Sequence, residues 1–261
     1  MKNILILLFT AIIFSSCSDS NDSVVPQNTE TVLTFDAKAG NADFALNKDF
    51  VVGTRTYNFN KLRYWVSNII FVNAQGVEYV VPNSYYLMEE VGDLDLTGTV
   101  NPGAMIYPAN KRESITLTDI PEGDYKSIKF SIGIDARHND NLSLQGGELS
   151  IANGMSDIAW MWHSSYIFSA LAGTVKEGTG SKVFKIETGL NVNYKTLTID
   201  MASPVNFSKT KGVLLNVDVT KIFDGLDLMA NPTINAATAP LMSTVAHNYA
   251  TKSISFGSAI Q

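Results

Sequence analysis

From Thr31 onward the chain is cut into short runs rich in Val, Ile, Tyr, Phe and Thr, separated by clusters of Gly, Pro, Asn and Asp, with no long helical period between them. That is the pattern of strands and turns, and it confines the chain to an all-β architecture. Lys61–Val72 (KLRYWVSNIIFV) places Leu62, Tyr64, Val66, Ile70 and Val72 on one face, and Asn73–Gly76 then turns the chain into Val77–Val81, which predicts a hairpin. After the turn Asp119–Asp124 (DIPEGD), Ile128, Phe130, Ile132 and Ile134 alternate with polar or small residues, the mark of a strand with one buried face. Runs at Lys182–Glu187, Lys195–Met201 and Val213–Val219 repeat the alternation, so the expected fold is an antiparallel β-sandwich with long loops. Leu241, Val245 and Tyr249 are spaced four apart behind Pro240, which predicts one short C-terminal helix. Gly92–Asn110 and Asp135–Gly154 show no sustained period; long loops on a rigid scaffold are where binding residues gather.

The N-terminus reads as an export signal. Lys2 precedes the apolar run Ile4–Phe14, which ends in Ser15-Ser16-Cys17. The run is shorter than the roughly 20 residues a spanning helix needs, and small residues before a cysteine follow it. Residues 1–16 are therefore expected to be a lipoprotein signal peptide. Residues 17–28 then comprise an acylated Cys17 and a flexible, polar tether, and 29–261 one folded domain. Cys17 is the sole cysteine, which excludes an intramolecular disulfide; a buried free thiol is its bland alternative. The expected location is the cell envelope, on an outer-membrane, periplasmic or surface face, with the membrane met through the lipid anchor. A net charge of -6, without a Lys/Arg run, gives no footprint for nucleic acid.

Little in the chain names a reaction, and the expectation is a protein that is not an enzyme. There is no Gly-x-Ser-x-Gly elbow and no glycine-rich phosphate loop. Glu89 and Glu90, adjacent on a strand, point to opposite faces. Asp93–Gly98 (DLDLTG) has the alternating acids of a calcium loop, but its twelfth position is Ala104 instead of the bidentate glutamate. The three histidines, His138, His163 and His247, lack the spacing that pre-forms a chelate on one strand or helix.

Several phrases, taken in order, resemble one family: Leu33–Asp36 (LTFD), Lys61–Ile70 (KLRYWVSNII), Ile120–Tyr125 (IPEGDY), Lys129–Asp135 (KFSIGID) and, above all, Gly154–Gly173 (GMSDIAWMWHSSYIFSALAG). The last is similar to a Gly-Met-x-Trp-x-Trp-x-x-Gly-Tyr signature, with Trp160, Trp162 and Tyr166 as the signature aromatics. The family is that of copper-binding proteins similar to MbnP of methanotrophic bacteria, many of whose relatives are lipoproteins of Bacteroidetes-like organisms. The resemblance implies an all-β fold and a mononuclear copper site built mainly from histidines, in some members beside a tryptophan oxidised to kynurenine. Trp65, Trp160 and Trp162 are the tryptophans available here.

Against that pattern this chain carries Ala37, Tyr86 and Thr188 where histidines are implied, and Ala172 where an acid is implied. A methyl offers copper no lone pair, and a neutral hydroxyl is a poor ligand for it. Two readings follow from the resemblance. In one, copper is held at a relocated site by His163 and His138 with the sulfur of Met161 or Met155. In the other, the sandwich is a noncatalytic binding module that uses its long loops for a protein or glycan partner and holds no metal.

Overall fold

The computed structural model describes residues 28–98, 105–157 and 165–261; Cys17, Trp160, Met161, Trp162 and His163 lie outside the described residues. The longer strands are β1 (Asn28–Ala39), β2 (Arg55–Asn73), β3 (Tyr85–Val91), β4 (Ser114–Pro121), β5 (Asp124–Ile132), β6 (Ser165–Glu177), β7 (Gly180–Gly189), β8 (Lys195–Asn206), β9 (Gly212–Asp218) and β10 (Ile254–Ile260). Among the described residues, α-helix is confined to α1 (Ala136–Asn139), α2 (Val219–Ile222) and α3 (Ala239–Asn248), in addition to short 3-10 and π turns.

One sheet has the order β4-β1-β9-β10. The other runs β8-β5-β2-β6-β7, with β3 along the remaining edge of β2. Phe35 of β1 meets Phe130 of β5 edge-on at 5.4 Å, so the main core lies between the two sheets. The sandwich departs from purely antiparallel pairing: β1 and β9 run parallel, Phe35 beside Leu215, because the chain crosses between sheets before it forms β9. The expected hairpin is present, with Ile70 opposite Val80. So is the short helix, α3, with Pro240 in its first turn and Met242, Val245 and Ala246 buried.

Strand β2 corrects the sequence reading of its faces. Its core residues are Tyr57 and Phe59, then Leu62, Tyr64 and Val66, then Ile69 and Phe71. The two steps of three replace steps of two because the register slips twice, once beside Ala172/Gly173 and once at Asn68. Asn68 adopts φ 53°, a bulge that turns the following residues over. Ile69 and Phe71, rather than Ile70 and Val72, therefore reach the core. Gly133, at φ 111°, does the same after β5, sending Ile134 away from Ile128, Phe130 and Ile132.

The outward face of β2 is not left to solvent. Trp65, Tyr85, Leu87, Ile134, Leu149, Met155, Tyr166, Phe168 and Ala170 form a second buried cluster there. Leu149 and Met155 come from the loop after β5, so the loop expected to carry function is also the roof of this smaller core.

Candidate functional site

His138 is the one predicted metal-ligand histidine among the described residues, and it stands at the edge of the outer cluster. Asp135 caps α1, its side chain accepting from the His138 backbone N–H. The same carboxylate lies 3.1 Å from His138 Nδ1, which is also 2.9 Å from the Tyr85 hydroxyl. Tyr85 donates to Asp135 Oδ2. Asn68 adds its amide to that oxygen at 3.3 Å and to the Tyr194 hydroxyl at 2.6 Å. The bulge thus serves the site, since it aims Asn68 out of the strand toward the loop.

These contacts fix the chemistry of the ring. An ionised carboxylate can only accept, so the neutral imidazole carries its proton on Nδ1 and leaves a lone pair on Nε2. A carboxylate behind a histidine is also how ligating imidazoles are oriented. Burial raises the Asp135 pKa, but the hydrogen bonds from Tyr85, His138 and Asn68 outweigh it and hold the group below the usual carboxylate range. Burial and the neighbouring Asp135 push the Tyr85 hydroxyl well above its ordinary value.

Behind His138, Asn139 is wholly buried and ties α1 to the start of β6, accepting from the Tyr166 N–H at 2.9 Å. The Tyr166 ring in turn meets Trp65 edge-on at 6.0 Å. Tyr166 is therefore a packing residue of the outer cluster, and Met155, 1% exposed in the same cluster, packs as an apolar side chain. The described residues contain no group of three His, Cys, Asp or Glu side chains able to hold a metal ion.

The positions where the resemblance implies histidines lie on the opposite face, toward the space between the sheets. Ala37 is part of the main core, and Tyr86 packs against it. Thr188 is 3% exposed, and its hydroxyl is spent on Ser169 at 2.7 Å. The Tyr86 ring lies under the Arg112 guanidinium, 5.9 Å away. The side chains at 37, 86 and 188 do not fit copper: a methyl, a phenol stacked on a cation and a hydroxyl already bonded. Ala172, where an acid is implied, points outward between Lys61 and Lys185.

Sequence reasoning did not find the polar cluster beside the outer core. Arg63 and Glu89, 1% and 4% exposed, pair across β2 and β3 with Nε to Oε2 at 2.7 Å. Glu89 Oε1 accepts from Tyr107 at 2.5 Å and from Asn110 at 2.8 Å, and the Arg63 guanidinium lies 4.7 Å over the Tyr107 ring. Burial, then the bond to Glu89, pushes the Tyr107 hydroxyl up to about 12. With both carboxylate oxygens bonded, Glu89 ties Tyr107 and Asn110 to the sheet and is no free acid. Asp93 and Asp95, the expected acidic turn, accept from the backbone N–H groups of Ala109 and Thr97 in that loop.

Comparison with known proteins agrees with this architecture. No curated protein sequence matches the chain significantly. A solved structure, MbnP from Methylosinus trichosporium, is similar in fold with a TM-score of 0.51 at 16% identity, over 77% of this chain and 79% of that one. The family model described as MbnP matches residues 28–240, from the first residue of β1 into α3. A match over so much of the folded body shows that the chain belongs to the MbnP family.

Proposed function

We propose that this chain is an exported, lipid-anchored, noncatalytic binding protein of the MbnP family. In this reading its loop-covered outer sheet face is the binding surface, and it lacks a copper site at positions 37, 86 and 188. The observation that carries it is the fate of those three positions. Ala37 is packed in the main core, the Thr188 hydroxyl is bonded to Ser169 and the Tyr86 ring lies under Arg112, so none of the three presents an imidazole to a soft or borderline ion.

The test is an anaerobic titration of the full chain with Cu(I) against a competing chelator, together with metal content as isolated. The expected result is no competitive one-to-one binding. One observation favours a second reading: His138 has its Nδ1 locked and its Nε2 free of any partner among the described residues. If copper does bind stoichiometrically, and substitution of either His138 or His163 by alanine abolishes it, the site has moved to the outer face and the metal-free reading is wrong.

A further inference from the structure

The outward face of β2 presents Lys61, Arg63 and Trp65 in succession, two residues apart. Arg63 is committed to Glu89; Lys61 has no such pair. Its ammonium makes no hydrogen bond or ion pair among the described residues, although the side chain is only half-exposed. Glu187 attracts the ammonium without pairing with it, and a partly desolvated charge held only that way gains from an anion that bonds it directly.

The register shows where that anion would sit. Across the sheet Lys61 is opposite Ala172 of β6, and Ala172 is opposite Lys185 of β7. The alanine methyl between two long cationic side chains leaves a cleft of about 490 Å³, with Leu46 and Leu94 as apolar wall and Asn47 and Asn60 as amides. That volume is within the range of small-molecule sites. Its charge is also defined, since Lys61, Lys185 and Asp93 are the charged side chains among its lining residues. Asp93 accepts from the Ala109 N–H, and Lys185 is bonded to Glu187 at 2.9 Å, so Lys61 is the cation left to recognise a ligand. Burial lowers its pKa; Glu187 raises it, while Arg63 and Lys185 lower it further.

We propose that the cleft over Ala172 is a binding site for a small organic carboxylate, gripped by the Lys61 ammonium and flanked by Lys185 and the amides of Asn47 and Asn60. With Lys185 paired to Glu187, Lys61 is the lining cation without an ion pair, which suits one carboxylate group. A charge-assisted hydrogen bond to a half-desolvated ammonium is stronger than its fully solvated equivalent. The proposal rests on reading the outer face as the binding surface, and names the ligand chemistry for one part of it.

The experiment follows the Lys61 Cε and Hε resonances of the full chain while propionate, then glucuronate, is added, with glucose as the neutral control. Saturable shifts with at least one carboxylate and none with glucose are expected. Lys61→Gln should weaken binding of that probe, read from ligand resonances, at least tenfold. Ala172→Glu, which places a tethered carboxylate between Lys61 and Lys185, should block the probe and raise the Lys61 pKa while the fold is retained. If neither carboxylate perturbs Lys61 saturably, or if Lys61→Gln binds the probe as well as the parent, the proposal is overturned. Neither variant touches His138, so the outcome of the copper titration stands apart from this one.

Discussion

At the scale of single residues, Asp135 does several jobs at once: it caps α1, orients His138 and accepts from Tyr85 and Asn68. Its pKa is depressed in the folded chain. Its contribution to stability is therefore complete above the unfolded carboxylate value of about 3.9 and is lost as pH falls through the folded value. Asp135→Asn should cost about 1–3 kcal/mol at pH 7, and the gap from the parent should narrow below about pH 4. Urea midpoints at pH 7 and pH 3 check this; an equal gap at both would mean that the charge contributes nothing. The sequence offered His138 as a candidate because histidines are scarce. It could not offer the rest, because Tyr85 lies 53 residues from His138 along the chain and Asn68 reaches the site only through a bulge.

At the scale of elements, alternation reveals a strand but not a break in its phase. β2, β5 and α3 were legible because apolar spacing repeats in each. The bulge at Asn68 was not, since Ile69, Ile70, Phe71 and Val72 are all apolar and either phase looks acceptable. The same blindness hid the exit of β5, where Gly133 carries the chain from the main core to the outer one. Ala at this position would hold its Cβ 2.5 Å from the buried Phe168 ring while keeping φ at 111°. Gly133→Ala should destabilise by about 2–4 kcal/mol, combining backbone strain with overpacking. Gly53→Ala is the control: its φ is 61° with nothing within 4 Å, so only the backbone cost of about 1 kcal/mol applies. Denaturant midpoints of the two variants should differ clearly; equal midpoints would show that Phe168 yields and that the switch of cores is soft.

At the scale of the whole molecule, the two sheets and their loops form a body with no covalent staple, since the chain has one cysteine. Its stability must come from burial between the sheets and beneath the loop roof. The reading of residues 1–16 as a lipoprotein signal peptide gives Cys17 a role outside that body, as the residue that carries the anchor. Fold and attachment should therefore separate cleanly. Expressed with its signal in a bacterial host fed a labelled fatty acid, the parent should take up label and partition into detergent, and Cys17→Ala should do neither. The parent's delipidated body and the Cys17→Ala body should unfold at the same temperature with and without reductant, because no thiol or disulfide contributes to the core. A midpoint that falls on substitution would place Cys17 inside a packed structure and return it to the buried-thiol reading. Label retained without the cysteine would put the anchor elsewhere on the chain.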